Sequence, residues 1–193
     1  MSLCAPDQHV LIGVAHDSIT YGVAHGQSPS TPDINVYSPP LREVCSSFVT
    51  LRDAAQALRG CIGSVEAVRP LVEDVSYNAY AAAFRDPRFL PLQSSELEGM
   101  HLHISVLSEL EVLAVDSEQE LLGRLRPGVD GLLLQEGSCR STLLPAVWKY
   151  LTEPEGFVAE LKAKAGLPCD HWSDSLQVSR YTVESYSREL YSK

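Results

Sequence analysis

SFVTLRDAAQALRGCIG, residues 47–63, is the stretch on which the fold turns. Ser47 to Arg52 is rich in β-branched and aromatic residues and reads as a strand. Asp53 to Gln56 is a short polar turn, and Ala57 to Gly63 reads as a second strand, so the pair predicts a hairpin. Alternate residues of a strand share a face. Leu58 and Ile62 are then expected to face the core with Gly60 between them, leaving Arg59 and Cys61 together on the opposite face. A guanidinium beside a thiol favours the thiolate, which is the reactive form. Gly60 and Gly63 lack side-chain bulk, so backbone N–H groups there can approach a ligand. The plain alternative is that Cys61 is buried, as cysteine commonly is, and that the glycines mark tight packing.

Outward from the hairpin, Arg69 to Arg85 predicts a strong helix. Val72, Val75, Ala79, Ala82 and Ala83 fall on its buried face, Pro70 suits its first turn, and Asp86-Pro87 ends it. His101 to Ser108 alternates as a strand, with Leu102, Ile104 and Val106 on one face. Further on, Ser117 to Leu125 reads as a short helix, and Gly131 to Gln135 and Arg140 to Leu144 read as strands. Pro145 to Leu151 and Pro154 to Ala165 read as helices, the second stopped by Gly166, and Leu176 to Tyr186 reads as one final strand. Upstream, Asp7 to Gly26 reads as a helix capped by Asp7, and Gly26 to Pro40, with four prolines, as a surface loop.

The order strand–strand–helix–strand occurs twice, near 47–108 and 131–186, which suggests a structural duplication although the residues do not repeat. Mixed helices and hairpins point to an α+β fold, a mixed sheet with helices. Residues 1–46 are expected as an N-terminal helix and Pro/Ser-rich loop packed on the body, and 47–193 as the α+β domain.

Composition bounds the function classes. The chain has 193 residues, 45% of them hydrophobic, enough for one domain or a domain with a small lobe. With 25 acidic and 15 basic residues the formal net charge is −10, which argues against a nucleic-acid groove and against docking on an anionic membrane. The five cysteines are widely spaced with no CxxC, so neither a disulfide framework nor a zinc ribbon is expected. The first residues carry no basic segment followed by an apolar run, and a cytoplasmic setting is the expectation. No metal site is assigned: His101 and His103 can share a strand face, but spacing supplies no third ligand, and they read as structural or surface histidines. No cofactor motif is present either.

LRGCIG following FVTL resembles the hallmark of the AMMECR-domain family, also called AmmeMemoRadiSam system protein A. The helix end Asn78-Ala79-Tyr80-Ala81-Ala82-Ala83-Phe84-Arg85-Asp86-Pro87-Arg88-Phe89 resembles the family's DPRF segment. Ile104 to Ser108 (ISVLS), Arg126 to Leu132 (RPGVDGL), Thr142 to Trp148 (TLLPAVW), Ala165 to Pro168 and Tyr181 to Glu184 are similar to later family motifs, in matching order over about residues 47–186. Leu90, where the family often has Pro, and the 53–56 turn depart from the pattern.

The resemblance implies an α+β fold with a large domain, a smaller lobe and a cleft between them. It also implies association with Memo-type and radical-SAM-type proteins, but supplies no reaction. Three functions are weighed. The first is an enzyme, or a component of an enzyme system, with a cleft beside LRGCIG: Cys61 is the nucleophile or a soft contact, and Arg59 holds an anionic group of an unidentified small ligand and acidifies the thiol. Gly60, Gly63, Asp86 and Arg88 are the candidate ligand-binding residues, although Asp86 and Arg88 also suit a pairing role at the helix exit. The second is an interaction module for a Memo-type or radical-SAM-type partner. Nucleic-acid binding ranks last. His16, His25 and His171 are candidates to approach Cys61, and the sequence chooses none as its base.

Overall fold

The computed structural model describes residues 3–30 and 33–190. Met1, Ser2, Thr31, Pro32 and 191–193, which include the chain start and part of the Pro/Ser-rich loop, lie outside the described residues. The chain divides into two units, Met1–Leu107 with Glu184–Lys193, and Ser108–Val183.

In the first unit the predicted hairpin forms as β1 (Ser47–Arg52) and β2 (Leu58–Gly63), paired antiparallel. α3 (Leu71–Phe84) follows, and β3 (His101–Leu107) returns antiparallel beside β1. With β8 (Val183–Glu189) the sheet order is β2-β1-β3-β8. Val72, Val75, Ala79, Ala82 and Ala83 of α3 are all buried, as the helical spacing predicts. They pack against Val49, Leu51, Leu102 and Ile104 of the sheet. Pro70 stands one position earlier than expected, at the N-cap. A proline serves there because the first N–H groups of a helix have no intrahelical acceptor.

α1 (Ala5–His25) adds Leu11, Ala15 and Ile19 to the same core, so residues on both sides of position 46 share it. Asp7 does not cap α1: Cys4 occupies the N-cap, and Asp7 turns inward, accepting from Ser38 Oγ at 2.6 Å and from Cys4 Sγ at 3.1 Å. These bonds, Ser38's first, hold its carboxyl below the usual range. The loop beyond α1 is less irregular than expected. It contains a 3-10 turn (Ile34–Val36) and the short α2 (Pro39–Arg42), whose Leu41 is buried.

The second unit repeats the plan. α4 (Glu118–Arg124) precedes the hairpin β5 (Gly131–Glu136) and β6 (Cys139–Leu143); α5 (Pro154–Ala165) follows, and β7 (Gln177–Tyr181) pairs with β5. A short strand the sequence reading missed, β4 (Glu111–Leu113), pairs with β7 and gives the order β4-β7-β5-β6. Read from the hairpin's second strand, the two sheets are β2-β1-β3-β8 and β6-β5-β7-β4. The fold class is α+β, with two antiparallel sheets built on one hairpin–helix–strand plan, the fourth strand following that plan in the chain in the first sheet and preceding it in the second. The core of the second unit gathers Leu132, Leu134, Leu143, Trp148, Phe157, Leu161 and Val178, with Trp148 and Phe157 stacked at 4.0 Å.

Two corrections follow from this topology. The final strand is two strands, β7 and β8, which break at Thr182 and belong to different sheets. Thr182 N–H is taken by Ser108 Oγ at 2.9 Å rather than by a ladder partner. The segment after Leu144 is a 3-10 helix over Pro145–Lys149, not a longer helix, and Trp148 Nε1 in it donates to Asp130 O at 2.7 Å.

Candidate functional site

β2 is an edge strand, so the outward N–H and C=O groups of its middle residue need partners from elsewhere. The turn after α3 supplies them. Cys61 N–H donates to Asp86 Oδ2 at 2.8 Å, and Arg88 Nη2 donates to Cys61 O at 3.2 Å. Asp86 and Arg88 thus occupy the hydrogen-bonding positions of a neighbouring strand. They also bind each other, Arg88 Nη2 to Asp86 Oδ2 at 2.6 Å and Nε to Oδ1 at 2.9 Å. The Arg88 hydrogen bond, helped by Cys61 N–H, holds the Asp86 carboxyl well below the usual range despite its burial.

Gly60, expected beside a ligand, lies on the α3 side of the strand. A Cβ there would fall 2.1 Å from Ala82 O, so its lack of a side chain sets how closely helix and sheet approach. Gly63 pairs with Phe48, and a Cβ there would strike the Phe48 ring at 2.4 Å. Leu58, expected in the core, is 37% exposed.

Arg59 is committed differently from the sequence expectation. Its Nε and Nη2 grip Glu96 at 2.6 and 3.1 Å, and Nη2 also reaches Leu90 O at 2.9 Å. This pairing lowers the Glu96 carboxyl below its ordinary range. Arg59 Nη1 is buried and has no hydrogen-bond partner among the described residues. The guanidinium that borders the thiol is Arg88. Its proton affinity is raised by the hydrogen bond to Asp86, against the effect of burial, with smaller contributions from Asp86's charge and from Cys61. Phe89 lies within cation–π range of both, 5.7 Å from Arg59 and 5.6 Å from Arg88.

Cys61 itself is half-buried, and its sulfur accepts a hydrogen bond from Thr50 Oγ1 at 3.2 Å. Thr50 is opposite Cys61 on one side and opposite His103 on the other. Directly opposed residues of neighbouring strands project to the same face, so Cys61, Thr50 and His103 form a transverse row over β2, β1 and β3, on the face away from α3.

Sequence reasoning missed Thr50, His103 and Glu96 as neighbours of the motif. The available signal was that β1, if central, sets Thr50 between its two flanking strands. Of the other histidines, His16 and His25 belong to α1, which packs on α3, and His171 is bound to Glu136 in the second unit. Among the described residues no group of three or more His, Cys, Asp and Glu gathers at metal-binding distance, and no helix is long and apolar enough to cross a membrane.

Comparison with known proteins places this geometry in a family. Residues 12–186 match the model of the AMMECR1 family. Protein SSO0193 of Saccharolobus solfataricus is 40% identical over 156 residues, spanning 77% of this chain and 69% of that one. Protein MJ0810 of Methanocaldococcus jannaschii is 34% identical over 156 residues, spanning 79% and 78%. The crystal structure of the uncharacterized protein PH0010 from Pyrococcus horikoshii is similar with a TM-score of 0.82 at 32% identity, covering 93% of this chain and 90% of its own.

Proposed function

The chain belongs to the AMMECR1 family, and from that premise we propose that it is an enzyme, or the thiol-bearing component of an enzyme system, in which Cys61 acts as a nucleophile toward a small ligand carrying an anionic group. The observation that supports this reading most is the setting of the sulfur. It is half-buried on the strand face away from α3, receives the Thr50 hydroxyl, and sits on a residue whose N–H and C=O are both clamped by Asp86 and Arg88. A hydroxyl donated to sulfur stabilises the thiolate over the thiol. A clamped backbone holds the nucleophile in one position, which lowers the entropy lost on reaching the reactive geometry.

Arg88 and Arg59 supply the anion-holding character. Arg88 is half-exposed at the thiol, and Arg59 retains two N–H donors on Nη1 beyond those Glu96 and Leu90 use. Asp86 acts on Cys61 by position, since its oxygens are taken by Cys61 N–H and Arg88. Alkylation by iodoacetamide across pH 5 to 9, read at Cys61 by peptide mass mapping in the folded protein, tests the reading. Reaction at pH 7 several-fold faster than at the exposed Cys4 and Cys169 is the expected result. A Cys61 that stays inert up to pH 9 rejects the nucleophile and leaves an interaction module as the reading to pursue.

A further inference from the structure

We propose that His103 is the proton acceptor for Cys61 and that the Thr50 hydroxyl relays the proton between them; this rests on the nucleophile reading above. Adjacent strands lie about 4.8 Å apart, so Cys61 and His103, two strands apart, have backbones separated by about 10 Å. A cysteine side chain is too short to close that gap to an imidazole standing parallel to it. The residue between them is a threonine, whose hydroxyl is already within 3.2 Å of the sulfur. In the transfer, the thiol S–H gives its proton to Thr50 Oγ1 while the Thr50 O–H proton passes to the imidazole nitrogen. Thr50 ends as a hydroxyl donating to the thiolate, which is the direction of its hydrogen bond to sulfur. No oxidant or co-reactant is needed.

Charge balance favours the same assignment. The two guanidiniums nearest the motif are already neutralised, Arg59 by Glu96 and Arg88 by Asp86. Ionising Cys61 therefore adds a negative charge that these pairs only partly offset, and an imidazolium on the same row compensates it. Three further charged or titratable groups stand on the same alternation of β1, β3 and β8. On β1, Arg52 is exposed and donates to Gln56 O at 2.8 Å; on β3, His101 lies opposite Arg52. On β8 the charged residue on the same alternation as Ser185, which meets Ser105 at 3.2 Å, is Glu189. Thr50 and His103 touch no substrate in this scheme and are positioning residues.

The test follows the pH profile of Cys61 alkylation in the full chain for the wild type, His103→Gln, Thr50→Val and Thr50→Ser, read by peptide mapping. Expected is a loss on the order of tenfold in rate at pH 7 for His103→Gln and Thr50→Val, equivalent to raising the apparent thiol pKa by about one unit, with Thr50→Ser close to wild type. A second measurement needs no variant: the NMR titration of the His103 imidazole before and after Cys61 alkylation is expected to shift by several tenths of a pH unit. Unchanged profiles in both variants, or an unmoved imidazole titration, beside a wild-type thiol that reacts readily, overturn the relay while leaving the nucleophile intact. A wild-type thiol inert to pH 9 removes both.

Discussion

The two sheets share one strand order and differ in the side chains their matching rows carry. On the first, the row facing away from the helix reads Cys61–Thr50–His103; on the second, the corresponding row reads Thr142–Leu133–Ser179. The helix-facing rows differ as well, Gly60–Leu51–Leu102 against Ser141–Leu134–Val178. In the second unit Ser141 Oγ donates to Leu161 O at 2.6 Å, so a small polar side chain fills the space between sheet and helix. In the first unit nothing fills it: Gly60 lets the α3 backbone close onto the strand. The same architecture therefore tolerates two solutions at the helix interface, and the thiol, the hydroxyl and the imidazole come together on one sheet alone.

The largest effect expected from breaking this contrast is at Gly60. A methyl there must displace Ala82 O of α3, which is backbone and cannot rotate away, so Gly60→Ala is expected to destabilise by about 2–4 kcal/mol. Ser141→Ala, at the matching place, removes one hydrogen bond without overpacking and is expected to cost about 1 kcal/mol. Urea unfolding of the two variants measures the difference, and equal losses would mean that the two interfaces are packed alike.

Two buried carboxylates of the first unit sharpen the comparison next. Asp86, whose folded pKa is depressed chiefly by the Arg88 hydrogen bond, contributes stability above the ordinary carboxylate pKa, and that contribution fades as pH falls below about 4. Asp86→Asn is expected to lose about 1–2 kcal/mol at pH 7, a figure kept small because Arg88 is half-exposed, with the gap to wild type narrowing in acid. Asp74 is the opposite case. Burial raises its pKa more than Ser47, Arg69 and Asn78 lower it. Its contribution is present below the unfolded value and is lost as pH rises through the raised folded value. Asp74→Asn is therefore expected to flatten the pH dependence of stability above pH 4, with a sign opposite to Asp86→Asn. Thermal melts from pH 3 to 7 separate the two, and parallel trends would contradict the assignment.

The hairpin, α3 and the two hairpin–helix–strand repeats were legible because each announces itself locally. Ser47 to Arg52 and Leu58 to Gly63 alternate, and Val72, Val75, Ala79 and Ala82 recur at helical spacing. The division at Thr182 was not legible, because Val178, Tyr181, Thr182, Val183 and Tyr186 are strand-forming residue types throughout the segment and only the Ser108 hydroxyl and the second sheet interrupt it. Asp7 misled for a related reason. An aspartate near a helix start is a good cap in isolation, but here Ser38, thirty-one residues away, offers its carboxylate a part-buried hydrogen bond.

For the site, the residue types and the alternation of β2 alone were enough to single out Cys61 and to turn Arg59 to the same strand face, since a pleat dictates which neighbours along one strand point together. Which groups finally meet the sulfur was decided across strands and loops. Register delivered Thr50, topology brought His103 onto the same row, and the turn beyond α3 brought Arg88 while Glu96 drew Arg59 away. Those outcomes depend on which backbones lie side by side, and that is set by packing of the whole unit rather than by any one segment of the chain.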